Sequence, residues 1–145
     1  MSHSLSKEAD GKRLGADHFF TTSDPKTFEK LNDSFDLIIN TVSAKLNWDD
    51  YIGLLKRDGT MVVIGIPEES ASINAFSLIK GRKRVSGSSI GGIKETQEML
   101  NFCGQNNIVS DIELIPMEQI NEAYERVIRS DVRYRFVIDV ARFAS

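Results

Sequence analysis

Cysteine, histidine, proline and long apolar runs are all scarce in this sequence. A single cysteine, Cys103, among 145 residues excludes an intramolecular disulfide and fits a reducing, cytoplasmic setting. One cysteine and two histidines, His3 and His18, also argue against an all-protein structural zinc site. No apolar run reaches membrane-spanning length. The N-terminal stretch MSHSLSKEAD lacks the apolar core of a signal peptide. Neither sign of charge dominates: 18 Lys plus Arg against 21 Asp plus Glu leave a net charge of -3. The basic balance or stripe of a nucleic-acid binder is therefore missing. Internal repeats and low-complexity tracts are missing too.

What is present is an ordinary globular composition, with 41% hydrophobic and 27% charged residues, which argues against a largely disordered chain. A chain of this length forms one domain and buries roughly 68–70% of its unfolded surface, enough to fold without disulfides or metal. Strand-like and helix-like segments alternate. Residues 4–14 are polar and helix-compatible, and Gly15 can stop that helix. Thr21–Pro25 is a loop and Lys26–Leu31 a short helix. Phe35–Val42 (FDLIINTV) suits a strand buried on both faces. Trp48, Tyr51, Ile52 and Leu55 recur at helical spacing. Lys56-Arg57-Asp58-Gly59 reads as a turn with basic residues in the last helical turn. Thr60–Ile66 is a second buried strand closed by Pro67. Asn74–Ile79 is helical and Arg84–Ser89 a third strand. Lys94–Gln105 and Met117–Arg129 are helices, and Arg135–Val140 is a final strand.

Such alternation implies βαβ units and a mainly parallel sheet. Ligands meet such sheets at the carboxyl ends of the strands. The loops concerned are Asn40–Ala44, Gly65–Glu68 and Ser88–Ile93. They are small or polar, and two contain glycine, which lets a ligand approach the backbone closely; ordinary turns have the same composition. Gly87-Ser88-Ser89-Ile90-Gly91-Gly92 follows a strand and opens a helix, where backbone N–H groups can receive an anion. It is neither G-x-G-x-x-G nor a Walker A sequence, so a tight turn is the default reading. His3 and His18 have no metal-ligand spacing around them. Cys103 falls on an apolar helix face, as a packed thiol does. Ser86, Ser88 and Ser89 lack a G-x-S-x-G elbow. Asp36, Glu68 and Glu69 have no carboxylate partner for acid–base work. The residues by themselves point to an α/β domain, with nucleotide binding as one option.

Several stretches carry a more specific resemblance. They are Leu14-Gly15-Ala16-Asp17, Phe35–Val42, Leu54-Leu55-Lys56-Arg57-Asp58-Gly59-Thr60, Gly87–Gly92 with Lys94-Glu95-Thr96, Ile120–Arg126, and Asp131–Phe136. In this order, and over nearly the whole chain, they resemble the second half of the zinc-type medium-chain alcohol dehydrogenases. Specifically, they resemble the cinnamyl-alcohol-dehydrogenase-like branch. The resemblance implies a partial doubly wound, Rossmann-type parallel sheet flanked by helices, lacking its first two strands. Residues 1–145 would be a truncated nicotinamide-coenzyme-binding domain, with 131–145 a C-terminal strand and tail. The catalytic zinc domain, the first strand and its Gly-rich pyrophosphate turn have no counterpart here.

The function implied is hydride transfer between NADP(H) and an alcohol or aldehyde in a full-length enzyme, with this chain inactive alone. The alternative is a non-catalytic remnant acting as an interaction or oligomerisation module. NADP(H) would bind weakly or not at all, and zinc would belong only to the missing domain. The matching coenzyme positions are Ser2, His3 and Lys7 at the tip of the second strand. That tip offers hydroxyl and cationic groups to a 2′-phosphate and carries no acid before Glu8. Thr41, Val42 and Ser43 match one strand end, Gly65, Ile66 and Pro67 a second, and Ser88 and Ile90 a third. Arg133 matches a position near the coenzyme phosphates. No residue matches a zinc ligand or a proton relay, so no catalytic residue is assigned. Strands Phe35–Val42, Thr60–Ile66 and Arg84–Ser89 should be parallel neighbours, and His18–Phe20 short, displaced or unpaired. Two open sheet edges would then favour a homo-oligomer.

Overall fold

The structure is a computed structural model that describes residues 1–141; the end of the expected tail, residues 142–145, lies outside them. The chain divides into two compact units, residues 1–90 and 91–145. No helix among the described residues is long and apolar enough to cross a membrane.

In the first unit a 3-10 turn, Leu5–Lys7, runs into helix α1, Glu8–Arg13. Gly15 ends this segment at φ 98°, a left-handed conformation that glycine adopts without a Cβ penalty. Helix α2 is Lys26–Lys30, strand β1 Phe35–Asn40, helix α3 Trp48–Gly53, and strand β2 Leu55–Val63. Helix α4, Ala75–Ile79, precedes strand β3, Arg84–Gly87. Asn74 caps α4 by accepting the Phe76 N–H on its side chain at 2.9 Å, as an N-cap residue does.

The three strands form one parallel sheet in the order β1-β2-β3, as expected of neighbouring strands. The core lies on one face, where Trp48 and Ile52 of α3 meet Leu55 and Met61 of β2. Ile38, Tyr51, Leu78 and Val85 pack around them. The Lys83 side chain is largely buried. Its ammonium donates to the Ile52 carbonyl at 3.0 Å and to Asp33 at 3.1 Å, placing a cation on the carbonyl end of α3.

Three expectations change. First, β1 is not buried on both faces: Ile38 packs against the core, whereas Leu37 and Ile39 are 55% and 59% exposed among the described residues. Secondly, Lys56–Gly59 is not the end of a helix. Leu55 already pairs with Phe35, and the next matched pair is Leu37 with Thr60, so 56–59 bulge out of β2. Asp58 turns at φ 64° and its carboxylate takes the Arg82 guanidinium at 2.7 Å. That hydrogen bond holds the Asp58 carboxyl below the usual aspartate range. Lys56 reaches Asp36 at 2.8 Å. Charge pairing across the bulge thus replaces the helix-end role. Thirdly, Leu55, placed by spacing on the apolar face of the helix, opens the strand instead.

His18–Phe20 forms no strand. The chain pairs just beyond it through a single parallel bridge, Ser2 with Thr21.

The second unit holds helix α5, Ile93–Gln105, strand β4, Glu113–Ile115, helix α6, Ile120–Ile128, and strand β5, Phe136–Ile138. A 3-10 turn, Met117–Gln119, leads into α6. Strand β4 was not anticipated; three residues, Glu-Leu-Ile, are too few to show alternation. It pairs in parallel with β5, and Ile115 and Ala123 are buried there. Cys103 is half-buried, with its thiol 3.6 Å from the Met99 sulfur. Other apolar positions of these helices, Met99, Leu100, Phe102, Val127 and Ile128 among them, stay exposed.

Candidate functional site

The three loops singled out by sequence leave the sheet at the same end, as parallel pairing requires. β1 ends at Asn40, whose carbonyl accepts the N–H groups of both Ile64 and Gly65, at 2.8 and 3.0 Å. Its side-chain oxygen accepts the Val42 N–H at 3.0 Å. These bonds pull the two strand ends together so tightly that only glycine fits at 65. A Cβ there would stand 2.6 Å from the Val42 carbonyl carbon and 2.7 Å from that of Thr41. Thr41-Val42-Ser43 and Gly65-Ile66-Pro67 therefore meet backbone to backbone. Ser88 joins them from the third strand, its N–H donating to the Val63 carbonyl at 3.1 Å. Ile66 and Ile90 stand exposed beside these loops.

The N-terminal turn is held by hydrogen bonds to residues 20–22. The Ser2 N–H donates to the Phe20 carbonyl at 3.0 Å, and the Ser2 carbonyl accepts the Thr22 N–H at 2.8 Å. The Thr21 hydroxyl donates to the His3 carbonyl at 2.8 Å. Ser2, His3, Thr41 and Val42 then line one cavity of about 440 Å³ between this turn and β1. Lys7 ends the 3-10 turn as an exposed cation and is not among the lining residues. Arg133 belongs to the second unit. There its N–H donates to Glu113 at 2.8 Å, while Arg126 reaches the same carboxylate at 2.8 Å. The Arg133 N–H is the larger cause, and Arg126 the next, of a Glu113 carboxyl held below the usual range.

Two features escaped the sequence reading. Asn40 is named there only as the start of a loop, yet it organises both strand ends. It is 7% exposed, and its Nδ2 is buried without a hydrogen-bond partner among the described residues. A polar residue closing the apolar run FDLII was the available signal. The other feature is Glu95. Its carboxylate accepts the Gly92 N–H at 2.8 Å, so the N-terminus of α5 takes an anion from its own chain. No group of three metal-ligating side chains occurs among the described residues.

Comparison with known proteins identifies this arrangement. Residues 1–105 match the family model described as zinc-binding dehydrogenase. All 145 residues align, at 56% identity, with 42% of the "NADP-dependent alcohol dehydrogenase C 1" of Mycolicibacterium smegmatis. A cinnamyl alcohol dehydrogenase of Sorghum bicolor superposes with a TM-score of 0.85 at 42% identity, over 94% of this chain and 38% of that one. A cinnamyl alcohol dehydrogenase of Helicobacter pylori, solved with NADP(H), superposes at 0.80 with 35% identity, over 97% and 41%. The chain thus spans about two-fifths of the length of such relatives. Its parallel sheet and flanking helices match the Rossmann-like coenzyme domain of these enzymes, and the chain belongs to the zinc-binding dehydrogenase family.

Proposed function

We propose that this chain is the C-terminal coenzyme-binding portion of an NADP-dependent alcohol dehydrogenase or aldehyde reductase, and that it is inactive alone. The observation that carries the reading is the backbone contact of Gly65 with Thr41 and Val42 at the carboxyl ends of parallel strands. It is supported by 56% identity to a relative named for NADP. When bound, the nicotinamide coenzyme supplies the hydride. This chain's own part is to bind and orient. The backbone at 41–43, 65–67 and 88–90 flanks the coenzyme, while the Ser2 and His3 turn with Lys7 takes the 2′-phosphate. These residues fit that group: Lys7 is exposed, Ser2 and His3 are fixed by hydrogen bonds, and no acid precedes Glu8.

Titration of the purified chain with NADPH and NADH tests this. Weak binding that favours NADPH is expected, with the preference lost in Lys7→Glu. Equal affinity for both coenzymes refutes the assignment of Lys7. The same protein is expected to hold no stoichiometric zinc and to reduce no aldehyde. One zinc per chain by elemental analysis, or NADPH-dependent benzaldehyde reduction, would overturn that part. A reducing cytoplasmic location accords with the lone cysteine.

The exposed apolar edge of β1 favours a second reading, a non-catalytic interaction module that self-associates through its sheet edges. Absence of any coenzyme affinity, with oligomers seen by light scattering, would select it.

A further inference from the structure

Two short segments build a positive surface at the amino ends of β2 and β3, the opposite end of the parallel sheet from the strand-end loops. Lys56-Arg57-Asp58 bulges from β2, and Lys80-Gly81-Arg82-Lys83-Arg84 turns into β3. One aspartate clasps the two together. The Asp58 N–H donates to the Gly81 carbonyl at 2.8 Å. Its carboxylate takes the Arg82 guanidinium at 2.7 Å, and its carbonyl accepts from Arg84 at 2.9 Å. Arg84 and Arg57 add to the Arg82 hydrogen bond in lowering the Asp58 carboxyl, so three guanidinium groups stand within electrostatic reach of one carboxylate. Six cations thus share two adjoining turns. Asp36, Asp58 and Asp33 pair with Lys56, Arg82 and Lys83. Arg57, Lys80 and Arg84 are exposed and pair with no carboxylate among the described residues. A chain of net charge -3 therefore holds a local excess of like charge, whose mutual repulsion its own acids leave unrelieved.

We propose that this surface docks an acidic segment of a partner protein. Carboxylates on that segment would take up Arg57, Lys80 and Arg84, the cations left over from the clasp. Guanidinium groups suit the task, since their planar forks meet a carboxylate with two parallel hydrogen bonds. The clasp also fixes both turns in advance, which reduces the ordering cost of binding. At physiological ionic strength the field of the patch reaches about 8 Å, a range that a short acidic segment can fill. Nucleic acid fits less well. Neither turn contains an aromatic residue on which a base could stack. A long polyanion would also run beyond the patch onto a chain whose net charge is negative. Docking at the amino ends leaves the loops at the carboxyl ends open, so the inference does not rest on the coenzyme reading.

The probe is a fluorescein-labelled hexaglutamate peptide, titrated with the purified full chain and followed by anisotropy. Saturable binding is expected at about 20 mM NaCl, weakening several-fold at about 200 mM as the Debye length contracts. Hexaglutamine, with the same backbone and no charge, should not bind. Arg57→Glu combined with Lys80→Glu changes two side chains outside the clasp and should keep the parent circular dichroism spectrum. It should bind at least about tenfold more weakly, since each exposed charge pair accounts for up to about fivefold. Lys94→Glu combined with Arg129→Glu makes the same change of net charge in the second unit and should bind as the parent does. No saturable binding of hexaglutamate, equal binding of hexaglutamine, unchanged affinity in the Arg57 and Lys80 variant, or an equal loss in the second-unit variant overturns the proposal. Tighter binding of an oligothymidylate of about 20 nucleotides than of hexaglutamate reassigns the surface to nucleic acid and overturns it as well.

Discussion

Gly65→Ala should destabilise the first unit far more than a glycine substitution in an exposed strand end ordinarily does. The added Cβ would lie 2.6 Å from the Val42 carbonyl carbon and 2.7 Å from that of Thr41, with the Val42 oxygen nearer still. Side-chain β-carbons essentially never approach other atoms within 3.0 Å, so one strand end must retreat by several tenths of an ångström. The retreat is resisted by three hydrogen bonds on Asn40, from the N–H groups of Ile64, Gly65 and Val42. Overpacking costs about 1–3 kcal/mol, and because the obstructing atoms are backbone the upper end applies, about 3 kcal/mol. With a urea slope of about 1.5 kcal/mol/M, the unfolding midpoint should fall by about 2 M. Gly87→Ala is the matched control. Its Cβ would meet nothing closer than the Val63 oxygen at 4.0 Å, so its midpoint should move by less than about 0.5 kcal/mol equivalent. Urea unfolding of both variants followed by circular dichroism decides the matter. Equal midpoints for Gly65→Ala and Gly87→Ala would refute the close approach of β1 and β2 on which the proposed coenzyme site is built.

Other substitutions probe the core and the charged clusters. Ile52 is fully buried against Trp48, Leu55 and Met61, so Ile52→Ala should cost about 3–4 kcal/mol in the same assay; a loss below about 1 kcal/mol would contradict the core assignment. The Lys83 side chain is 8% exposed. Lys83→Met should cost about 1–3 kcal/mol by leaving the Ile52 carbonyl short of a donor, and faster amide exchange at the end of α3 should accompany it. For Glu113 the pH dependence has a definite sign. Its folded pKa is lowered by the Arg133 N–H and Arg126, so its stabilising contribution is complete above the ordinary glutamate pKa. It fades as pH falls through the lowered value. Glu113→Gln should therefore be less stable than the parent at pH 7 and converge with it as pH falls through the lowered Glu113 value. A thermal-melting gap that widens in acid would reverse the assignment.

Local pattern alone settled the order of the strands of the first unit. Apolar β-branched runs at 35–40 and 60–63 became neighbouring parallel strands, because such runs separated by amphipathic segments have few other ways to bury themselves. The stretches shared with alcohol dehydrogenases placed the family, and the three strand-end loops followed from topology. Tertiary structure alone decided what covers what. Leu37 and Ile39 read as buried because sequence shows apolarity and not the presence of a covering element. The Lys56–Gly59 bulge depends on Asp58 finding Arg82, 24 residues away, and no local window contains that pairing. β4 exists because β5 lies beside it, since a three-residue strand draws its stability from its partner. Gly65 could be anything on sequence grounds; it is glycine because two strand ends held by Asn40 leave no room for a β-carbon.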